Sequence, residues 1–372
     1  MIVDLGDIRG ADASRVGPKM ARLGELASFG WRVPDGYAIT AGALSDWLPA
    51  AVRAELEQVF TAPVPVQGPG DLAALSALSA RARELVESQP LPAALADAVT
   101  AAHERLERRT GGARGGSALR VAVRSSAVGE DGTRASFAGQ YETYLGITGI
   151  ADVLGHIRKC WASGYSVPAL QYRRRLGGGP LPAHDPGALA VGVLELVDAR
   201  SAGVAFSLDP VTGNRNTLVV EGNWGFGESV VAGHVSPDHW TVDRDTDEIT
   251  TRRVGDKRAW SVFAPAADRV VLEPTPADLA ARPCLTDDEV RYLCRQATRI
   301  EETAGGVPQD VEWAIARGIP FPDSVFILQH RPETTWSAAA SPPDARTPAP
   351  KAAAGFDPVQ YALRNVFRVP GT

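Results

Sequence analysis

The stretch DVEWA at 310–314 alternates polar and apolar residues, and FILQHR follows at 326–331. Successive side chains of a strand point to opposite faces, so the two acidic residues of the first stretch share a face. Gln329 and Arg331 share a face of the second strand for the same reason. If the strands pair, Glu312 and the Gln329 amide suit Mg²⁺, and Arg331 suits phosphate. A simple cross-strand Glu–Arg pair is the alternative interpretation.

A predicted buried strand, Leu119–Arg124, ends in an arginine followed by two serines, and SFAGQ follows at 136–140. A strand end that presents Arg124 and hydroxyl groups is suited to polyphosphate. Gly139 would let backbone N–H groups approach a ligand closely. A salt-bridged strand end is the alternative.

The segment VGPK at 16–19 leads into a predicted helix, Lys19–Phe29. The free N–H groups and dipole of a helix N-terminus favour an anion, and the Lys19 ammonium adds a full positive charge. The alternative is a solvated lysine at a helix start.

Two glycine-containing stretches follow, GVAFSLDPVTG at 203–213 and EGNWGFGE at 221–228. Neither has the spacing of a Walker A loop or of a dinucleotide-binding fingerprint. A tight connection between strands explains the glycines equally well.

Alternating helices and strands predict a mixed α/β architecture. Capping and periodicity predict helices over Lys19–Phe29, 41–60 (capped by Thr40), 71–109, 152–171 and 287–303 (capped by Thr286). The segment 33–40 is predicted to be a turn that leads into a short strand. The further predicted strands are 189–197, 203–207, 217–221, 240–243, 310–316 and 324–331.

The loop GGGPLPAHDP predicts a boundary between a first lobe, residues 1–186, and a second lobe, residues 187–336. Residues 337–355 are rich in Ala, Pro and Ser, which predicts an extended linker. Residues 356–372 regain apolar residues at helical spacing, which predicts either a docking segment for a partner or a helix that folds back.

Composition narrows the class of protein. The net charge of −6 and the pI near 5.6 argue against a nucleic-acid binder. The 372 residues contain no apolar run of the length of a signal peptide or a membrane span, and the 3 cysteines have no metal-ligand spacing. We therefore expect a cytoplasmic protein with no membrane partner.

Taken together, the motifs resemble the N-terminal ATP-binding region of the family of phosphoenolpyruvate synthase, pyruvate phosphate dikinase and rifampicin phosphotransferase, over about residues 10–335. The strings that carry the resemblance are VGPKMARLGELASFGWRVPDGYAIT, VAVRSSAVGEDGTRASFAGQYETYLGI, AGVAFSLDPVTG, EGNWGFGESVVAGHVSPDHW, and QDVEWA with ILQHRPET.

The resemblance implies an ATP-grasp-like, two-lobed α/β (α+β) fold with the nucleotide in a cleft. It implies that ATP is split into AMP and phosphate and that the β-phosphoryl group passes to a histidine and then to an acceptor. By motif match, the nucleotide-binding residues are Lys19, Arg124, Gly139, Thr143, Leu196, Val197, Glu221, Glu312, Gln329 and Arg331. Of these, Lys19, Arg124 and Arg331 would be catalytic, and Glu312 and Gln329 would hold Mg²⁺.

The same resemblance assigns Glu221 to the ribose or the metal, and the strand near Leu196 and Val197 to the adenine edge. Two positions depart from the family pattern. Pro18 stands where the family usually has a glycine, which removes one loop amide. Leu194 stands where the family often has a glutamine, which removes a polar contact to the adenine.

The family's carrier histidine lies in a stretch similar to TSHAAIVAR, and none of the 6 histidines here has that context. We therefore expect a split phosphotransferase that pairs with a separate phosphohistidine-domain protein and a small-molecule acceptor. A nucleotide-binding regulatory module without turnover and an ATP-grasp ligase are the alternatives.

Overall fold

The computed structural model describes residues 1–61, 69–111, 118–128, 142–175, 189–231, 233, 235–333, 335 and 336. The chain divides into two compact units. The first comprises Met1–Gly30, Pro34–Leu196 and Pro265–Arg269, and the second comprises Trp31–Val33, Val197–Ala264 and the chain from Val270 on.

The first unit is built on a five-stranded antiparallel sheet with the order β1-β2-β5-β3-β4. Its strands are β1 (Ile2–Asp4), β2 (Gly36–Ile39), β3 (Arg120–Ala127), β4 (Thr143–Thr148) and β5 (Leu189–Glu195). Strand β4 therefore lies at an edge and has β3 as its neighbour.

The helices of the first unit are α1 (Ala13–Ser28), α2 (Gly42–Trp47), α3 (Ala50–Thr61), α4 (Pro69–Glu87), α5 (Ala93–Thr110), α6 (Ile150–Ser163) and α7 (Val167–Arg175). The main hydrophobic core joins α2 to α7 with one face of the sheet, where Val121 and Val193 are fully buried. Helix α1 packs against β3 and β5.

Two predicted helices are each broken in two. The helix predicted over 41–60 ends at Trp47, because Leu48 precedes Pro49 and adopts an extended ψ of 125°. Thr40 makes no side-chain cap; its carbonyl accepts a hydrogen bond from Ala43 N instead. The helix predicted over 152–171 breaks after Ser163, where Gly164 is the C-cap.

The second unit contains a six-stranded antiparallel sheet with the order β13-β12-β6-β7-β8-β9. Its strands are β6 (Ala199–Phe206), β7 (Thr217–Trp224), β8 (Asp238–Asp243), β9 (Ile249–Arg253), β12 (Gln309–Ala316) and β13 (Val325–Pro332). A hairpin of β10 (Ala259–Ala264) and β11 (Arg269–Pro274) and the helices α8 (Glu228–Val231), α9 (Ala277–Ala280) and α10 (Asp287–Thr303) complete the fold.

Helix α10 has the predicted bounds and the predicted cap. The Thr286 hydroxyl accepts a hydrogen bond from Glu289 N, and the Glu289 carboxylate accepts one from Thr286 N, which forms a capping box. The helix packs against β6, β7, β8 and β12. Trp240 and Trp313 are almost completely buried on one face of this sheet.

The boundary between the units differs from the predicted one. The sequence places the start of the second lobe at residue 187, before the apolar strand that becomes β5. In the structure β5 lies between β2 and β3 in the first sheet, and the chain enters the second unit after Leu196. A strand that is buried on both faces reads as apolar in either sheet, so its sequence does not reveal its neighbours.

The architecture is α+β, as predicted, with antiparallel sheets and helices in each unit. Within the described ranges, no helix combines the length and the apolar character needed to cross a bilayer.

Candidate functional site

The helix start at Lys19 is anchored on the end of β3. Gly17 leaves the helical conformation with φ +74° and ψ 160°, so the regular part of α1 begins at Pro18. A Cβ atom at position 17 would lie 2.3 Å from Ser126 O and 2.3 Å from Ser126 Oγ, so glycine is required there. Met20 N also donates a long hydrogen bond of 3.4 Å to Ser126 Oγ.

Pro18 occupies the first position of this regular helical run. Proline suits that position because its φ is already helical and the missing N–H has no intrahelical partner. An anion at this helix start would nevertheless have one fewer amide donor, as the sequence predicts. Lys19 follows directly and is half-buried.

Arg124 and Thr143 are brought together as direct partners in the β3–β4 ladder. On its other side, Arg124 pairs with Gly192 of β5. A Cβ atom at Gly192 would lie 2.3 Å from Met20 Sδ. Helix α1 therefore contacts the sheet at Gly192 through Met20, the residue that follows Lys19. The helix start and Arg124 therefore occupy one region of the first unit.

The buried thiol of Cys160 lies close enough to this region for its pKa to depend on the charges there. Burial raises the pKa of the thiol and the Glu142 carboxylate adds to the rise, while Arg124 and Lys19 both lower it. Both cations therefore lie within electrostatic range of the same buried thiol.

Three other predicted residues have different outcomes. Gly139 lies outside the described residues. Leu196 and Val197 follow β5, which ends at Glu195, and so belong to a connection and not to a strand. Leu196 N donates to Arg120 O at 2.9 Å, and Val197 is 7% exposed. Their predicted contact with an adenine ring stays a prediction.

In the second unit, β12 and β13 pair as the sequence predicts. Glu312 lies opposite Gln329, and Asp310 lies opposite Arg331. Gln329 Nε2 is 3.3 Å from Glu312 Oε1, and Arg331 Nε donates to Asp310 Oδ2 at 3.1 Å. The carboxylate, the amide and the guanidinium therefore converge on one face, and the arginine pairs with Asp310 and not with Glu312.

Asp310 is a member of this group that the predicted site omitted. Burial raises the pKa of Asp310 to about 6, against the opposing effect of Arg331. Its position two residues before Glu312 was a usable signal, because strand alternation puts both carboxylates on the same face.

The row that contains Gln329 and Glu312 continues across the sheet. Glu312 pairs with Val204 of β6, Val204 pairs with Glu221 of β7, and Glu221 pairs with His239 of β8. Residues directly opposite each other share a face, so Glu221 lies on the same face as Glu312, two strands or about 10 Å away.

His239 holds Glu221 at the far end of this row. His239 Nδ1 lies 3.1 Å from Glu221 Oε1, and the two side chains are 17% and 14% exposed. Sequence reasoning missed His239, because its partner lies on another strand and only the strand register brings the two side chains together.

The oxygen ligands in this row fit a metal ion that also binds the phosphate groups of a nucleotide. Among the described residues, no group of three or more His, Cys, Asp or Glu side chains is arranged to hold a metal ion. Glu312 and Gln329 offer one carboxylate and one amide. Mg²⁺ commonly takes one or two protein ligands and completes its octahedron with water and phosphate oxygens, so this sparse pair is compatible with it.

A family model described as the pyruvate phosphate dikinase AMP/ATP-binding domain matches residues 13–350. The chain belongs to this family. The match includes every candidate residue of both units, from Lys19 to Arg331.

Curated relatives support this membership. The chain is 36% identical over 355 residues to a probable phosphoenolpyruvate synthase of Staphylothermus marinus, with 90% of the chain and 41% of that protein covered. It is 35% identical over 328 residues to a probable phosphoenolpyruvate synthase of Methanothermobacter thermautotrophicus, with 88% of the chain and 45% of that protein covered. It is 37% identical over 341 residues to a rifampicin phosphotransferase of a Streptomyces species, with 90% of the chain and 36% of that protein covered.

The chain thus spans less than half the length of these relatives. What the family membership establishes is an AMP/ATP-binding domain of the type found in phosphotransferases.

Proposed function

We propose that the chain is the ATP-binding subunit of a split, dikinase-type phosphotransferase. The observation that carries the proposal is the β12–β13 register, which puts Glu312 opposite Gln329 and Asp310 opposite Arg331. An acid, an amide and an arginine on one strand pair are the groups needed to bind a metal-bound phosphate chain.

The proposed reaction converts ATP, water and a histidine into AMP, phosphate and a phosphohistidine that keeps the β-phosphoryl group. Charge on the transferring group must be neutralised, and fixed positive groups do this without reorganisation. Lys19, Arg124 and Arg331 are the side chains proposed for this role.

Glu312 and Gln329 are the residues that would hold Mg²⁺. When bound, the ion would neutralise charge on the phosphate oxygens that it contacts. Thr143, paired with Arg124, would help position the phosphate chain in the first unit. Glu221, held by His239, is proposed to contact the ribose or the metal.

The histidine is proposed to belong to a separate phosphohistidine-domain protein, which passes the phosphoryl group to a small-molecule acceptor. The cytoplasm is the proposed compartment.

The test is to mix the purified chain, Mg²⁺ and ATP labelled at the β-phosphorus with a stand-alone phosphohistidine-domain protein. We expect AMP, phosphate and an acid-labile label on the partner. A partner whose histidine is replaced by alanine is the control and should stay unlabelled. ADP as the sole nucleotide product would instead indicate a ligase.

A regulatory nucleotide-binding module without turnover is the second candidate. Two observations favour it. Pro18 offers no amide at the helix start, and Leu194 is 4% exposed and carries no polar group toward a base. Tight ATP binding with no AMP formation in the same assay would support this candidate.

A further inference from the structure

A bidentate ion pair joins α4 to the residue that precedes β4. Arg83 Nη1 donates to Glu142 Oε1 at 2.6 Å, and Arg83 Nη2 donates to Glu142 Oε2 at 3.0 Å. The Tyr144 hydroxyl donates to the same carboxylate. The hydrogen bond to Glu142 raises the pKa of the Arg83 guanidinium.

The Glu142 backbone is attached to the sheet at the same point. Its carbonyl accepts hydrogen bonds from Ser125 N at 3.4 Å and from Ser125 Oγ at 3.3 Å. Both bonds are long, so they hold the end of the strand weakly. The hydrogen bonds between Arg83 and the Glu142 side chain, at 2.6 and 3.0 Å, are shorter than either of these bonds to the carbonyl.

Strand β4 needs such an attachment because it is an edge strand with an interrupted ladder. Its register against β3 shifts between Val121 and Val123. The pairing of Arg124 with Thr143 lies beyond this irregularity. The pairs before the shift therefore do not by themselves fix the position of Thr143.

Alternation along the strand connects the ion pair to the phosphate-binding residues. Glu142 and Tyr144 are two residues apart and share the face that meets Arg83. Thr143, between them, points to the other face, where it lies opposite Arg124. Fixing Glu142 and Tyr144 on one face therefore fixes Thr143 on the other.

We propose that Arg83 is a positioning residue for nucleotide binding, which acts through Glu142 to hold Thr143 beside Arg124. The inference rests on the proposed binding of ATP at Lys19, Arg124 and Thr143. It adds a residue on α4, 59 positions from Glu142 in the chain, to the groups that determine ATP affinity.

The test compares Mg-ATP dissociation constants, measured by calorimetry on variants whose folding is verified by circular dichroism. Arg83→Met and Glu142→Gln should each weaken affinity by about tenfold, because small displacements of a positioning group are costly. The double variant should bind Mg-ATP no more weakly than the weaker-binding single variant, since both substitutions break the same interaction. Arg83→Lys keeps the charge but loses the bidentate geometry and should fall between.

Thr143→Val distinguishes positioning through Thr143 from a purely structural role of Arg83. If Arg83 acts through Thr143, Arg83→Met should weaken binding much less in the Thr143→Val background than in the unmodified chain. Arg81→Met is the matched control, because Arg81 lies on the same helix and its partner among the described residues is the exposed Glu55, at 3.4 Å.

Each outcome separates this inference from the proposed function. If the unmodified chain binds no ATP, the proposed function fails and this inference fails with it. If the unmodified chain binds ATP and folded Arg83→Met binds it as tightly as Arg81→Met does, only this inference is overturned. Additive losses for Arg83→Met and Thr143→Val would also overturn it.

Discussion

Glu312 on β12 lies directly opposite Gln329 on β13, with 3.3 Å between Glu312 Oε1 and Gln329 Nε2. The next pair on the same face, Asp310 and Arg331, makes an ion pair of 3.1 Å. One strand pair thus presents the proposed metal ligands beside the proposed phosphate ligand. The backbone ladder fixes their spacing, so side-chain mobility contributes little to it.

Replacing one of the two proposed metal ligands should reduce the Mg²⁺ dependence of ATP binding. For Glu312→Gln we expect a loss of about tenfold or more in affinity at saturating Mg²⁺, since contacts to charged groups contribute about 1.5–3 kcal/mol. Without Mg²⁺ the variant and the unmodified chain should bind alike. Calorimetric titrations at several Mg²⁺ concentrations measure this. Glu302→Gln, at an exposed position of α10, is the control, and an equal loss there would contradict the assignment.

Restoring the amide at the start of the helix should have opposite effects on affinity and stability. Pro18→Gly adds an N–H donor where we propose that phosphate binds, so ATP affinity should rise by about tenfold. The same change frees the unfolded chain and should lower the free energy of unfolding by about 1 kcal/mol. Calorimetry and urea unfolding measure the two effects. Unchanged affinity would show that the anion does not use this amide.

Gly17 should tolerate no side chain. Gly17→Ala combines a left-handed φ of +74° with a Cβ contact of 2.3 Å to Ser126, so we expect a loss of several kcal/mol or failure to fold. Gly30→Ala is the matched control, since Gly30 has φ +87° but no atom within 4 Å of its Cβ position. It should cost only about 1–2 kcal/mol from the backbone conformation. Similar unfolding midpoints for the two variants would contradict the close contact at Ser126.

His103 should make the first unit sensitive to acid. It is 8% exposed on α5, and burial lowers its pKa below 6.5. Below pH 6.5 the unfolded chain therefore binds more protons than the folded chain, so stability falls as the pH falls toward the folded-state pKa. Above 6.5 both states are neutral and the effect disappears.

His103→Leu tests this directly. The difference in unfolding free energy between the variant and the unmodified chain should shift in favour of the variant from pH 7 to pH 5, by at most about 1.4 kcal/mol per pH unit. Urea unfolding at each pH measures it. Glu104→Gln, at an exposed position of the same helix, should show no such shift between pH 6.5 and 5.5. A pH-independent difference for His103→Leu would show that folding does not lower the pKa of His103.

The features that the sequence predicted well depend on neighbouring residues. Helix α10 has the predicted bounds because Thr286 and Glu289 form a cap within one turn. Strands β12 and β13 match the predicted strands to within one residue at each end, because alternation is visible in a few residues. The break before Pro49 was missed, although its signal is also local, since a residue that precedes proline avoids the helical conformation.

The strands missed by the sequence have weaker local patterns. Strand β4 is a short edge strand, and β9 is mostly exposed, so neither has a clear apolar face. The hairpin of β10 and β11 is likewise only partly buried. Such segments become strands because a neighbour supplies hydrogen bonds, which single-chain periodicity does not reveal.

By itself, the sequence determined the chemistry available to this protein: the cations at Lys19 and Arg124, the acid and amide at Glu312 and Gln329, and the order of the motifs that place the chain in its family. The tertiary structure alone decided which sheet receives β5, which carboxylate pairs with Arg331, and that His239 contacts Glu221. The physical reason is the separation along the chain over which each kind of interaction acts. Periodicity and capping act over a few residues, whereas strand order and register follow from contacts between segments far apart in the chain.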